Sequence, residues 1–142
     1  MTEEEAKQIA DLLNKRNKLV RGYDCEKIMK EEDNYVYLME GTDLIACAES
    51  KQVQWYQWEV SHVSVNEQFE SKGFGSKILL MAEEKAIKSG AKILQCTIRS
   101  NNEKSQKLFL SKGYAKTGSF FYSKSGNWVH VYQKSIAVRE EY

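Results

Sequence analysis

Apolar positions recur along this chain with two different periods, and the switches between them lay out its elements. Ala6, Ile9, Leu12 and Leu13 fall on one helical face behind a Thr2-x-x-Glu5 capping box. They predict a first helix from about Glu3 to Leu19, ended near Gly22. Asp24 is placed to cap a short second helix carrying Cys25, Ile28 and Met29 inward, and Glu31-Glu32-Asp33 closes that region as a solvated run or one favouring a cationic substrate. The period then drops to two. Tyr35–Met39, a turn at Gly41-Thr42-Asp43 and Leu44–Glu49 predict an antiparallel hairpin, and a longer strand covers about Gln54 to Val65. Helical spacing returns in Ile78, Leu79, Ala82, Ala86 and Ile87, predicting a helix from Gly75 to Lys88 stopped at Gly90. Ile93–Ile98 reads as a short buried strand. Asn101 or Asn102 caps a further helix with Leu108 and Phe109 inward, stopped at Gly113. A hairpin of Tyr114–Tyr122 and Val129–Ile136 around Ser125-Gly126-Asn127 ends the chain. The order ααβββαβαββ predicts an α/β (α+β) fold, a mixed sheet with helices on its faces. No linker or repeat divides it, so a single domain over residues 1–142 is expected.

Composition narrows the function. With 42% hydrophobic and 29% charged residues the chain is an ordinary globular one. Its formal net charge of +1 argues against a nucleic-acid or membrane-surface partner, both of which call for a strong basic field. No apolar run approaches the roughly 18 residues of a bilayer span. The opening MTEEEAKQIA is acidic and unlike a secretory signal. Cys25, Cys47 and Cys96 form no C-x-x-C pair and read as reduced thiols of a cytoplasmic protein. His62 and His130 are the only histidines, and no cluster has metal-ligand spacing, so no metal is expected.

One stretch invites chemistry: Glu70-Ser71-Lys72-Gly73-Phe74-Gly75-Ser76, between a strand and a helix. Two glycines at such a junction bring backbone amides close to a ligand, and the first amides of a helix lack intrahelical partners at its positive end. That suits a pyrophosphate, with Lys72 adding charge and Ser76 a hydroxyl. A plain tight turn fits the glycines as well. A dinucleotide fingerprint fits badly, with Ile78 where a third glycine or alanine is wanted, and a Walker loop is not present.

The segments "VSVNEQFESKGFGSKILL" and "RSNNEKSQKLFLSKGY" together resemble the GNAT superfamily of N-acetyltransferases. The resemblance runs from about Tyr35 to the C-terminus and implies acetyl-CoA as cosubstrate. It implies that Ser71, Lys72, Gly73, Phe74, Gly75 and Ser76 cradle the coenzyme A pyrophosphate. Val63 and Val65 would pair with pantetheine amides by main chain, in a strand that splays or bulges there. Asn102, Ser105 and Phe109 would lie toward the pantetheine and thiol end. Three departures stand out. Glu70 replaces the usual glutamine or arginine, and a carboxylate about 4 Å from a phosphate costs roughly 1–4 kcal/mol. The chain starts at the first helix without the family's opening strand, which would leave Tyr35–Met39 as an exposed edge. Phe109 stands where many members carry a tyrosine that protonates the leaving thiolate, with Tyr114, Ser105 or water as substitutes.

Acetyl transfer to an amine needs that amine neutral, and deprotonating a lysine-like amine at pH 7 costs about 4.6 kcal/mol. A general base relieves part of that barrier. Glu59 matches the position of a catalytic glutamate in some protein-acetylating members, and His62 has a usable intrinsic pKa. Regular alternation puts the two on opposite faces of their strand, so one of them is expected to act. Trp55, Tyr56 and Trp58, and likewise Tyr122, Trp128 and Tyr132, read either as packing or as aromatic walls for an acceptor. The acceptor is a small-molecule or protein amine, selected by the first two helices and the last hairpin, and the protein is expected to be a monomer or homodimer. The alternative is an acyl-CoA-binding sensor or interaction module that has lost catalysis.

Overall fold

The computed structural model describes residues 1–17 and 22–136. Its helices are α1 (Glu3–Arg16), α2 (Cys25–Lys30), α3 (Phe74–Lys88) and α4 (Glu103–Ser111). Its strands are β1 (Tyr35–Glu40), β2 (Asp43–Gln54), β3 (Gln57–Val65), β4 (Ile93–Arg99), β5 (Ala115–Tyr122) and β6 (Asn127–Ser135). The strands are hydrogen-bonded in the order β1-β2-β3-β4-β6-β5. β3 and β4 run parallel over Gln57–Glu59 and Ile93–Gln95, whereas β1/β2, β4/β6 and β5/β6 are antiparallel. This is the mixed, mostly antiparallel sheet with flanking helices that the order of elements predicts.

Several boundaries differ from those read in the sequence, each for a local reason. α1 stops at Arg16 because Asn17 turns extended, with φ −122° and ψ 129°, and its side chain donates to the Leu13 carbonyl at 3.0 Å. The expected end at Leu19 lies outside the described residues. The long strand from Gln54 is cut by a turn at Trp55–Tyr56, so Lys51–Gln54 extend β2 instead. α3 starts one residue early, at Phe74. Met29, expected inward, is 36% exposed, and Ile87, part of the apolar repeat of α3, is 43% exposed. At these two sites the apolar stripe is wider than the buried face.

The chain divides into two compact units. Met1–Ser50 with Val60–Glu83 form one. Its core packs Ile9 and Leu13 of α1 against Ile28, Tyr35, Leu44 and Cys47. The capping box forms as read, Glu5 N donating to Thr2 Oγ1 at 3.1 Å and Thr2 N to Glu5 Oε1 at 2.7 Å. Asp24 caps α2 through Lys27 N at 2.7 Å. Ser50 Oγ fastens β2 to the Ala82 carbonyl of α3 at 3.0 Å. Lys51–Glu59 with Glu84–Tyr142 form the other unit. It buries Trp58, Leu94, Cys96, Ile98, Phe109, Tyr114 and Tyr132, whereas β5 is exposed at every position.

Candidate active site

β3 leads into the glycine loop, and Asn66 fixes the exit. Asn66 N donates to Ile45 O at 2.8 Å, its Nδ2 to Leu44 O at 3.0 Å, and its Oδ1 accepts from Gln68 N at 3.3 Å. One 3-10 turn, Glu67–Phe69, follows. Two left-handed residues then bend the chain into α3: Ser71 at φ 61° and Gly73 at φ 83°. Glycine is needed at 73 for its conformation rather than for room, because a Cβ there meets nothing within 4 Å. Left-handed residues alternating with right-handed ones turn successive amides toward one concave side, the geometry of an anion nest. Ser71, Lys72 and Gly73 are exposed, while Phe74, Gly75 and Ser76 are half-buried. The first turn of α3 carries no acidic residue. That turn thus adds no carboxylate of its own to compete for its amides.

Glu70, the apparent misfit, is engaged elsewhere. Its carboxylate pairs with Arg16 Nη2, while Arg16 Nη1 lies 3.3 Å from Glu67 Oε1 and Lys15 Nζ 3.6 Å from Glu67 Oε2. The last turn of α1 thus sets two cations against two carboxylates beside the loop. These residue types sit far apart in the chain, and nothing in the local pattern marks them as partners.

Within β3, His62 takes a left-handed backbone, φ 55°, which histidine tolerates better than most residues. Regular alternation is broken at that residue, so parity along the strand no longer assigns faces to Glu59 and His62. Ser64 is buried, donating from Oγ to the His62 carbonyl at 2.8 Å and accepting from Asn17 Nδ2 at 2.9 Å. Val63 and Val65 flank it, both half-buried. The Tyr23 ring meets the His62 ring edge-on at 5.7 Å, and Tyr23 Oη donates to Glu49 Oε2 at 2.7 Å. Burial, then the Glu49 hydrogen bond and charge, raise the Tyr23 pKa above its ordinary value. Tyr35 is 4% exposed and also raised, by burial and by Glu49, and its Oη has no hydrogen-bond partner among the described residues. Tyr23 beside His62, with Tyr35 and Glu49 as the partners of Tyr23, was not read from the sequence. The hairpin register that sets Tyr35 opposite Glu49 is the one local signal among them.

The other unit holds the remaining predicted residues. Glu59 Oε2 accepts from Gln95 Nε2 at 3.2 Å, and Gln95 Oε1 accepts from Gln133 Nε2 at 2.7 Å. This polar row follows the strand register Glu59, Gln95, Gln133 across β3, β4 and β6. Asn102 caps α4, its Oδ1 accepting from Ser105 N at 3.2 Å. Phe109 is 3% exposed and stacks edge-on to Tyr114 at 4.9 Å. Of the aromatic groups, Trp58 and Tyr132 are core, and Tyr132 Oη donates to Gln106 at 2.9 Å. Trp55 and Trp128 are 70% and 56% exposed. Among the described residues no group of three His, Cys, Asp or Glu side chains has the arrangement to hold a metal ion, and no helix is long and apolar enough to cross a membrane.

Comparison with known proteins bears on the fold. A model of the acetyltransferase (GNAT) family matches residues 5–114. Ard1 from Thermoplasma volcanium superposes with a TM-score of 0.81 at 12% identity, over 97% of this chain and 95% of that one. The ribosomal-protein-alanine N-acetyltransferase of Brucella melitensis gives 0.80 at 17% identity, over 96% and 97%. YncA of Salmonella typhimurium, a putative acetyltransferase solved with acetyl-CoA, gives 0.79 at 18% identity, over 99% and 94%. At these identities the likeness is one of fold. No curated protein sequence gave a significant match.

Proposed function

The chain belongs to the GNAT acetyltransferase family, and on that footing we propose that it moves an acetyl group from acetyl-CoA to a primary amine of a small molecule or protein. The observation that carries this reading is the left-handed bend at Ser71 and Gly73, opening into an α3 first turn free of acidic residues. Those backbone amides, with Lys72 and Ser76, bind the pyrophosphate. The main chain of Val63 and Val65 orients the pantetheine, and Asn102, Ser105 and Phe109 serve its thiol end. The coenzyme supplies an acetyl group activated as a thioester. Glu59 or His62 takes the proton from the attacking amine within a ternary complex, and main-chain amides of β3 polarise the thioester carbonyl. The protein acts in the cytoplasm as a monomer or homodimer. A protein amine as acceptor has support in the Brucella relative, whose name specifies ribosomal-protein alanine.

A second reading, an acyl-CoA sensor without turnover, draws on one observation. Phe109 is buried against Tyr114 and has no proton to give a leaving thiolate. A thiol pKa of about 8.5 makes that acid less necessary than the base, which favours catalysis.

The test is incubation with acetyl-labelled acetyl-CoA and a size-fractionated cell lysate, with Glu59→Gln and His62→Asn alongside. Asparagine is chosen at 62 because it tolerates the left-handed backbone and cannot act as a base. Label in the large or small fraction gives the acceptor class, and the variant that loses transfer gives the base. Coenzyme binding without label in any fraction establishes the sensor.

A further inference from the structure

Glu70 places a carboxylate at the head of a loop assigned to an anion. We infer that Arg16 is the residue that makes this loop fit for a pyrophosphate: from the end of α1 it neutralises the Glu70 carboxylate, which would otherwise repel the ligand. The inference rests on the coenzyme reading above.

Three observations support it. Arg16 bridges both acidic residues ahead of the bend, Glu67 through Nη1 and Glu70 through Nη2. The side chains of Arg16 and Glu70 are only 28% and 31% exposed, so their pairing is less screened than a surface contact. The end of α1 is also held in place independently, by Asn17 Nδ2 on Ser64 Oγ at 2.9 Å and on Leu13 O at 3.0 Å. That anchor presents Arg16 to the loop before any ligand arrives. Arg16 is a positioning residue here. It acts on the coenzyme through Glu70.

The consequence is an asymmetry that a merely structural ion pair does not produce. Removing Arg16 alone unmasks the Glu70 charge against the pyrophosphate. Removing Glu70 alone leaves Lys15, Arg16 and Glu67 with one net positive charge. Removing both restores neutrality. Calorimetric titration of coenzyme A into the full chain at low salt reads these cases directly. Arg16→Gln is expected to weaken binding about tenfold, the low end of the repulsion between two anions a few ångströms apart. Glu70→Gln is expected to tighten it. The double variant R16Q/E70Q is expected within about twofold of the unmodified protein, with the R16Q deficit shrinking as salt screens the charge. Pantetheine, which has no pyrophosphate, is expected to bind all four proteins alike.

Coenzyme A binding by R16Q equal to that of the unmodified protein overturns the inference. So does a double variant as weak as R16Q, which would mean that Arg16 does not act through Glu70. An equal loss for pantetheine overturns it too, by tracing the effect to disturbed folding. A different result, no coenzyme A binding by the unmodified protein, overturns the coenzyme reading and this inference with it.

Discussion

Tyr35 and Tyr23 both feel the Glu49 charge, but only Tyr23 is hydrogen-bonded to it. Tyr23 Oη is satisfied by Glu49, whereas Tyr35 Oη is buried without a partner among the described residues. Burying a hydroxyl costs free energy unless a hydrogen bond compensates. Tyr35→Phe is therefore expected to leave stability unchanged or raise it by up to about 1 kcal/mol in urea denaturation, and Tyr23→Phe to lower it by about 1 kcal/mol. A loss on Tyr35→Phe as large as on Tyr23→Phe would contradict this account. Both phenols are raised from 10.0 in the native state, so the sign at alkaline pH is set. Above about pH 10 the unfolded chain releases these protons and the native one keeps them, and stability falls as pH rises. The F-variants flatten that decline. The same scale shows why Glu59 was legible and its setting was not. A glutamate in an alternating strand is plain to see, but its partners Gln95 and Gln133 come from strand pairing alone.

At the level of elements, the caps were readable because each is written within four residues: Thr2 with Glu5, Asp24 with Lys27, Asn102 with Ser105. Hairpin registers were not. Counting from the Gly41–Thr42 turn pairs Tyr35 with Ala48, yet an irregularity between Leu38 and Met39 shifts the register by one and sets Tyr35 opposite Glu49. One inserted residue is enough to move every later pair. The loop before α3 has a sharper dependence on its residue type. Gly73→Ala forces a Cβ into φ 83° with open space around it, so the whole effect is conformational. The expected cost is about 1 kcal/mol of stability together with weaker coenzyme A binding, measured by thermal unfolding and calorimetry. A fully stable variant would show that the bend relaxes without loss.

For the whole molecule, burial sorts the three thiols. Cys47 is fully buried and its pKa is pushed up to about 12 by that burial, and Cys96 is raised by burial and by the nearby Glu59 charge. Cys25 is half-buried, its Sγ 3.4 Å from the Glu3 carbonyl. A chromogenic disulfide at pH 8 is expected to label one thiol quickly and the other two only as the protein unfolds, and prompt labelling of all three would refute this burial order. By itself the sequence determined the succession of elements, their caps, and the two motifs that lead to the family, because periodicity and capping act over a few neighbouring residues. The tertiary structure alone decided that Glu70 faces Arg16, 54 positions away, and that Ser64 links Asn17 to the His62 carbonyl. It also decided that the β5 aromatics Phe120 and Phe121 lie 44% and 53% exposed rather than in the core. Which side chains meet across such separations depends on how the helices and strands pack, and local patterning places no constraint on that.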